Sequence, residues 1–336
     1  MDSLNKDLIL DIRDLHALYH TGRGDVKAVN GISLQLGKGE TLGLVGETGA
    51  GKTTTALSIM RLLPERTGRI PTGSITYKGE DLLAKSEVEM RKIRGSEISI
   101  IFQDPMNALN PIMPVGKQIG EALMLHNTED LNRIQIEEKV EEVLELVGIP
   151  AWRKDEYPHQ FSGGMKQRVV IAIALACEPS VLIADEPTTA LDVTIQAQVL
   201  SMIRNLRDRL GTSLILITHD LGIVAENCDS VAIMYAGQIV EFGSVAEVFD
   251  RSKPHHPYTV GLFGAIPDLE SRRDRLSPIE GLVPDPLHLP EGCKSAPRCL
   301  YCDNRCETAK PPIIDTETGY LRCFRFGQAK GTEVEV

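Results

Sequence analysis

The sequence lacks long hydrophobic runs. Its longest uninterrupted apolar run covers residues 169–177, whereas a membrane-spanning helix needs about 20 apolar residues. The first ten residues contain acids and no apolar core behind a basic region, so they predict no secretory signal. We therefore expect the protein to be made and kept in the cytosol.

An excess of positive charge is also missing. The chain carries 36 Lys and Arg against 47 Asp and Glu, and its net charge is −11. This balance argues against a protein that binds nucleic acid non-specifically. The 336 residues suggest two domains, at about 100–200 residues each. Proline becomes frequent and periodicity fades after residue 250, which predicts domains at 1–250 and 251–336.

Cysteine is absent from the first 176 residues. Five of the seven cysteines lie instead between Cys293 and Cys323. In a reducing cytosol, such clustering is typical of metal ligands or redox groups more than of disulfides. Cys177 lies in an apolar helix and Cys228 just before a strand, so both are predicted to be packing residues.

Buried strands alternate with helices up to residue 250. Apolar runs at 96–102, 181–185 and 213–220 predict strands covered on both faces. A run at 231–243 predicts a hairpin that turns at Ala236 and Gly237. Apolar residues spaced by three and four predict a helix over 136–149; they are Ile136, Val140, Val143, Leu144 and Val147. The pattern indicates an α/β fold with a mostly parallel sheet.

Residues 46–53 (GETGAGKT) fit the phosphate-binding pattern G-x-x-x-x-G-K-[ST]. A strand precedes them and a helix follows, as this pattern requires. The glycines allow close approach of backbone N–H groups to phosphate. The predicted nucleotide-binding residues are Gly46, Glu47, Thr48, Gly49, Ala50, Gly51, Lys52, Thr53 and Thr54. Lys52 is expected to reach the β and γ phosphates of ATP, and Thr53 to ligate Mg²⁺.

Two acids end the strand at 181–185. Asp185 is predicted to hold Mg²⁺, and Glu186 to polarise the attacking water as the catalytic base. Alone, two acids at a strand end more often cap a turn. A phosphate-binding loop elsewhere in the chain favours the catalytic interpretation.

Residues 161–168 (FSGGMKQR) place a second anion-ready helix N-terminus 22 residues before the acids. A chain that combines one phosphate-binding loop with a second anion-ready helix N-terminus resembles the ABC transporter ATPases. In that family Ser162, Gly163 and Gly164 would contact ATP held by the opposite subunit of a dimer. Met165 stands where many members have Gln, a departure that we expect to be tolerated.

The resemblance assigns further roles to single residues. It makes Gln103 a Mg²⁺ ligand, His219 a catalytic residue at the γ-phosphate, and Tyr19 the residue that stacks on adenine. It also places Asp192, in the motif at 190–192, beside the ATP bound in trans. Taken alone, a histidine at a strand end or a lone tyrosine more often serves packing.

Four longer stretches resemble the oligopeptide/dipeptide importer ATPases: QDPMNALNP, EYPHQFSGGM, DVTIQAQ and HPYTVGLFGAIP. The implied fold is a P-loop NTPase (RecA-like) core with an antiparallel β subdomain and a helical subdomain at about 104–165. An irregular, metal-binding C-terminal extension would follow at 251–336.

The family's extension holds a [4Fe–4S] cluster on four cysteines, which correspond here to Cys293, Cys299, Cys306 and Cys323. From the residues alone, four thiolates suit iron–sulfur or tetrahedral zinc equally. Cys299 and Cys302 form a C-x₂-C pair, so zinc stays open. Four arginines are expected to place positive charge around these ligands: Arg298, Arg305, Arg322 and Arg325.

The resemblance implies the ATP-hydrolysing subunit of a peptide importer, peripheral at the cytosolic face of the membrane. Its cofactors would be ATP, Mg²⁺ and the cluster. Its expected partners are two membrane permease subunits, a second ABC ATPase subunit and, through the complex, a solute-binding protein; no nucleic acid is expected. Importers for nickel or oligosaccharides share this ATPase type. A soluble ABC ATPase acting on nucleic acid or ribosomes and a redox-sensing module also stay open as functions.

Overall fold

The computed structural model describes residues 7–103, 108–127, 130–189, 191–265 and 279–326. Its internal contacts divide the chain into two compact units. Unit 1 comprises Met1–Asp11, Gln35–Leu42 and Thr76–Ile217. Unit 2 comprises Ile12–Leu34, Gly43–Ile75 and Thr218–Val336. The domain limits that the sequence predicts at residue 250 and at 104–165 stay predictions.

Strands and helices are interspersed along the described chain. The strands are β1 (Leu8–Thr21), β2 (Gly24–Gly37), β3 (Thr41–Val45), β4 (Gly68–Tyr77), β5 (Glu80–Asp81), β6 (Ile98–Ile101), β7 (Val181–Asp185), β8 (Ser213–Thr218), β9 (Ser230–Tyr235), β10 (Gln238–Ser244), β11 (Ile313–Asp315) and β12 (Tyr320–Arg322).

The α-helices are α1 (Lys52–Ile59), α2 (Glu87–Ile93), α3 (Val115–Leu125), α4 (Arg133–Leu146), α5 (Gly163–Leu175), α6 (Val193–Leu210), α7 (Leu221–Asn227), α8 (Val245–Val248), α9 (Pro257–Gly264) and α10 (Asn304–Thr308). Short 3₁₀ helices occupy Ala151–Asp155, Pro158–Gln160 and Ala296–Arg298. No helix of the described residues combines the length and apolarity that a bilayer span requires.

Parallel strands form the centre of unit 1. They lie in the order β8-β7-β6, with Ile98 beside Val181 and Val181 beside Ser213. Every residue of β7 and β8 is buried, and α5 packs against β6. Strands covered on both faces are apolar throughout, so the sequence predicts them correctly. Their carboxyl ends carry the polar residues of the site.

Helices α3, α4 and α5 of unit 1 pack against one another. The stripe that the sequence predicts on α4 is confirmed, since Val140 and Leu144 are buried and Ile136 and Val143 are half-buried. Asn132 begins this helix, because its side chain accepts hydrogen bonds from the N–H groups two and three positions further along. Residues 104–107, at the start of the predicted helical subdomain, lie outside the described residues.

The predicted hairpin of unit 2 is confirmed. Strands β9 and β10 pair antiparallel, with Gln238 opposite Tyr235. The turn residues Ala236 and Gly237 have φ of 45° and 80°, as a two-residue hairpin turn of the mirror-image type requires. Helix α9 packs on this hairpin through Tyr258.

The C-terminal segment is more regular than the sequence predicts. Strand β12 pairs antiparallel with β10, placing Leu321 opposite Glu241, and β11 pairs with β12. A side chain at Gly319 would collide with the carbonyl group of Phe242, so glycine is needed for this approach. Strands of three residues are too short to show an alternating pattern, which is why the sequence gives no sign of them.

Candidate nucleotide site and cysteine cavity

The phosphate-binding loop belongs to unit 2, follows the buried strand β3 and leads into helix α1. Gly51 precedes the helix with a φ of 102°, a conformation that side chains other than glycine rarely adopt. A side chain at Gly46 would collide with the carbonyl group of Met234. The loop can therefore follow its path only with glycine at both positions.

Lys52 holds its cation over this loop. Its side chain is buried, and Nζ donates to the carbonyl oxygens of Gly46, at 2.6 Å, and Glu47, at 3.2 Å. Thr53, the next residue, is exposed. The helix N-terminus, the ammonium group and the hydroxyl together suit an anion with a bound cation.

Tyr19 contacts the helix that follows the loop. Its hydroxyl lies 3.2 Å from Oγ1 of Thr54, which is buried on α1. The half-buried ring is thereby held beside the loop. Its predicted stacking on adenine stays a prediction.

Gln103 and Glu186 meet in unit 1. Asp185 is buried at the end of β7, and Glu186 follows it with a φ of 47°. Nε2 of Gln103 donates to Oε2 of Glu186 at 3.1 Å, and Oγ1 of Thr189 donates to the same oxygen at 3.0 Å. A left-handed backbone is unusual for glutamate and is typical of functional positions. The carboxylate is thus held in one orientation.

Two further predicted residues cap helices of unit 1. Ser162 Oγ accepts from Met165 N–H at 3.4 Å and begins α5. Asp192 accepts from Ile195 N–H at 3.0 Å and begins α6. Ser162 and Gly163 are exposed, so the N-terminus of α5 is open to a ligand. Ala190 of the predicted motif lies outside the described residues.

His219 is exposed directly after β8. The next residue, Asp220, begins α7 by accepting from Gly222 N–H at 2.8 Å. The structure therefore fixes the backbone around His219 from both sides. His219, Tyr19 and the loop belong to unit 2, while Gln103, Asp185, Glu186, Ser162, Gly163, Gly164 and Asp192 belong to unit 1.

All five C-terminal cysteines line one cavity of about 570 Å³ in unit 2. Cys306 is buried and the others are half-buried: Cys293, Cys299, Cys302 and Cys323. The N–H of Cys293 donates to the carbonyl oxygen of Cys306 at 2.7 Å, which joins two distant parts of the segment. Packing thus gathers thiols that lie far apart along the chain.

Burial raises the pKa of four of these thiols, and neighbouring thiolates raise it further. The pKa reaches about 11 at Cys302 and at Cys323, and it is also raised at Cys299 and Cys306. Thiolates that repel one another in a half-buried cavity are stabilised by a cation.

The described residues contain no three His, Cys, Asp or Glu side chains arranged so that they could hold a metal ion. Thiol donors in one common cavity fit the predicted cluster, but in the described residues no three of them are arranged around one metal position. The prediction of a metal-binding extension is therefore not confirmed. Of the expected arginines, Arg305 and Arg325 line the cavity, whereas Arg298 is bonded to Glu47.

Two family patterns match the chain: "ABC transporter" over residues 29–189 and "Oligopeptide/dipeptide transporter, C-terminal region" over residues 240–306. The dipeptide transport ATP-binding protein DppD of Bacillus subtilis is 50% identical over 301 residues, covering 88% of this chain and 89% of DppD. The oligopeptide transport ATP-binding protein AppD of the same organism is 44% identical over 328 residues, covering 97% and 98%. The chain belongs to the oligopeptide/dipeptide family of ABC transporter ATP-binding proteins.

Solved structures confirm the cassette fold of this family member. CbiO1 of Clostridium perfringens, part of the ABC transporter complex cbiONQ, is 31% identical with a TM-score of 0.64, over 74% of this chain and 92% of CbiO1. The ATP-binding cassette MJ0796 is 23% identical with a TM-score of 0.63, over 70% and 98%. The chain is thus an ABC ATPase with a mixed α/β P-loop fold.

Sequence reasoning missed Thr189 and Tyr258 of this ABC ATPase, and it expected Arg298 beside the cysteines instead of on the loop. Thr189 orients Glu186 from three positions further along, and that spacing is the only signal it gives. Tyr258 and Arg298 both bond with Glu47 of the loop, from more than 200 positions away. Long-range contacts of this kind leave no local pattern.

Proposed function

We propose that the chain is the ATP-hydrolysing subunit of an importer for dipeptides or oligopeptides. The observation that carries this proposal is the match to DppD and AppD, at 50% and 44% identity over most of each chain. A further relative, the oligopeptide transport protein OppD of Bacillus subtilis, is 48% identical over 94% of the chain. The geometry supports it, since a buried lysine over a glycine loop suits a nucleoside triphosphate.

In this proposal residues 46–54 bind the phosphates of ATP and Tyr19 stacks on adenine. Thr53, Gln103 and Asp185 hold Mg²⁺, whose charge would stabilise the transferring phosphoryl group. The donors suit this ion, because Mg²⁺ prefers hydroxyl, amide and carboxylate oxygens. Lys52 neutralises charge that develops on the phosphate oxygens.

Glu186 acts as the general base. Gln103 and Thr189 donate to its Oε2 and so orient the carboxylate toward one position. A carboxylate fixed in this way accepts a proton from water without first having to reorient. His219 contributes a second polar group at the γ-phosphate.

Ser162, Gly163, Gly164 and Asp192 serve the ATP held by a second ATPase subunit. The exposure of Ser162 at the open end of a 13-residue helix supports this role. ATP would then lie between two subunits and close them, and hydrolysis would let them separate. Family precedent favours a paralogue as the second subunit over a copy of this chain.

The ABC nucleotide-binding domain would span 1–250 and work at the cytosolic face of the membrane, bound to two permease subunits. The helical subdomain at about 104–165 would receive their cytoplasmic loops. Exposed apolar side chains in this stretch support a contact surface there: Ile112, Met124, Leu125 and Trp152. A solute-binding protein would deliver the peptide.

The extension at 251–336 would hold a [4Fe–4S] cluster on Cys293, Cys299, Cys306 and Cys323. Their common cavity supports this, and the chemistry of soft thiolate donors suits iron–sulfur or zinc. Metal content distinguishes the two.

Transport by the assembled complex tests the proposed substrate. Proteoliposomes with both permeases, the solute-binding protein and both ATPase subunits are given labelled dipeptide, Ni²⁺ or an oligosaccharide. We expect ATP-dependent accumulation of the dipeptide, lost when Lys52→Ala is present. Accumulation of Ni²⁺ or the oligosaccharide, without accumulation of peptide, would contradict the proposal.

A further inference from the structure

Arg298 forms a two-pronged ion pair with Glu47 of the phosphate-binding loop. Nη1 lies 2.7 Å from Oε2 and Nη2 lies 3.2 Å from Oε1 of the carboxylate. The side chain of Arg298 is only 7% exposed, and that of Glu47 is 29% exposed. Both residues belong to unit 2. A partly buried bidentate pair of this kind is directional, and salt screens it less than a fully exposed pair.

The same guanidinium is anchored on its other side. Nε donates to the carbonyl oxygen of Glu280 at 3.0 Å, and Nη2 donates to that of Ile279 at 3.1 Å. Its backbone ends the short helix Ala296–Arg298, which lies between two of the cysteines. Lysine could not make this set of bonds, because one ammonium cannot span a carboxylate and two carbonyl groups.

Tyr258 holds the backbone of the same loop residue. Its hydroxyl accepts from the N–H of Glu47 at 3.1 Å, and its ring packs edge-on against Tyr235 with centroids 4.6 Å apart. Tyr258 is buried on α9. Glu47 is therefore fixed through its side chain by Arg298 and through its main chain by Tyr258.

The position of Glu47 affects the cation of the loop. Nζ of Lys52 bonds with the carbonyl oxygen of Glu47, so a shift of that peptide group moves the ammonium. The carboxylate of Glu47 would also repel phosphate oxygens if it were not neutralised. The ion pair thus shapes the loop and removes an unfavourable charge from it.

We propose that Arg298 is a positioning residue for the phosphate-binding loop, which makes ATP affinity depend on the order of the cysteine-bearing segment. The proposal rests on the proposed role of Lys52 and its loop. Because Arg298 immediately precedes Cys299, a rearrangement at the cavity displaces the guanidinium. By linkage, ATP bound at the loop stabilises the segment to the same extent.

Two matched variants of the full chain test the effect on affinity. Arg298→Met removes the pair, while Lys253→Met removes a cation elsewhere in unit 2 that bonds with Glu317 and does not line the cysteine cavity. We expect calorimetry to show ATP binding weakened about tenfold by the first variant, within the roughly 5–150-fold typical of coupled sites, and unchanged by the second. Arg298→Lys should fall between them. Equal affinity in wild type and Arg298→Met would overturn the proposal.

The pair is also tested from the loop side. In a Glu47→Ala background, Arg298→Met should weaken ATP binding by less than about twofold more, because partners in one interaction are not additive. Independent, additive losses would show that Arg298 acts by another route. The comparison of Glu47→Ala with the double variant tests the pair even if Arg298→Met alone folds poorly.

Hydrogen exchange gives a readout that a purely structural role would not change. In the full chain, ATP should slow exchange of the amides at 296–302, and Glu47→Ala should remove that protection. Absence of ATP-dependent protection in wild type would overturn the coupling. Lys52→Ala distinguishes a failure of the proposed ATP site from a failure of this inference. Normal ATP binding by Lys52→Ala would contradict the proposed site. Lost binding by Lys52→Ala, with unchanged binding by Arg298→Met, would contradict only the role of Arg298.

Discussion

The phosphate-binding loop and the cysteine cavity both belong to unit 2, yet they are assembled in different ways. The loop gathers its groups within eight consecutive residues, between a buried strand and a helix N-terminus. The cavity gathers thiols from Cys293 to Cys323, in a segment with only short helices and strands. Local backbone geometry fixes the first, whereas packing over long sequence distances fixes the second.

The largest expected effect separates the two regions. Lys52→Ala should weaken ATP binding by about a hundredfold or more, because a charge-assisted contact worth roughly 2–5 kcal/mol is lost. Fluorescent-nucleotide titration measures this. The metal content of the cysteine cavity should stay unchanged. Loss of metal together with ATP binding would show that the cysteine cavity needs Lys52 in order to form.

A second effect concerns the exposed end of α5. Ser162→Arg should lower ATP hydrolysis by the assembled dimer about a hundredfold, since a misplaced group at the reacting centre costs that much. Binding to the separate chain should be unchanged. Ser162→Ala is the matched control, because it removes the helix cap without adding bulk. If Ser162→Arg abolishes binding to the single chain, its assignment to the partner's ATP is wrong.

Sequence reasoning succeeds where a residue's neighbours along the chain decide its environment. The run 181–185 is buried because β7 is covered on both faces, and Gly51 is required by its own φ. It fails where the environment comes from distant segments. The pairing of β12 with β10 and the bond from Arg298 to Glu47 depend on contacts that no local spacing encodes.

Tyr19 gives a smaller effect. Tyr19→Ala should weaken ATP binding about tenfold, since aromatic stacking on a base contributes roughly 1–3 kcal/mol. Tyr19→Phe is the control, because it keeps the ring and loses only the bond with Thr54. Equal loss in both variants would mean that the hydroxyl, and not stacking, is what matters.

The smallest effect on catalysis is expected from the cysteines. Serine at Cys293, Cys299, Cys306 or Cys323 should remove the broad absorbance near ~400 nm and about four irons per chain from protein purified without oxygen. Hydrolysis at saturating ATP should change less than about threefold, because the proposed base, Glu186, lies outside this segment.

Cys302→Ser is the matched control for that set, and it should keep both colour and iron. A colourless anaerobic preparation with one zinc per chain would show that the cysteines bind zinc and not an iron–sulfur cluster. If Cys302→Ser loses the colour and Cys306→Ser retains it, the cluster is present but Cys302 is a ligand in place of Cys306.

The most direct test of the ATPase account is hydrolysis by Glu186→Gln in the assembled transporter. The substitution keeps the size of the side chain and removes its capacity to accept a proton. Turnover should fall by about 10²–10⁴-fold while ATP binding stays at the wild-type level. Glu65→Gln, at an exposed position outside the helical subdomain, is the control and should be silent. Turnover by Glu186→Gln close to that of wild type would contradict the assignment of Glu186 as the base.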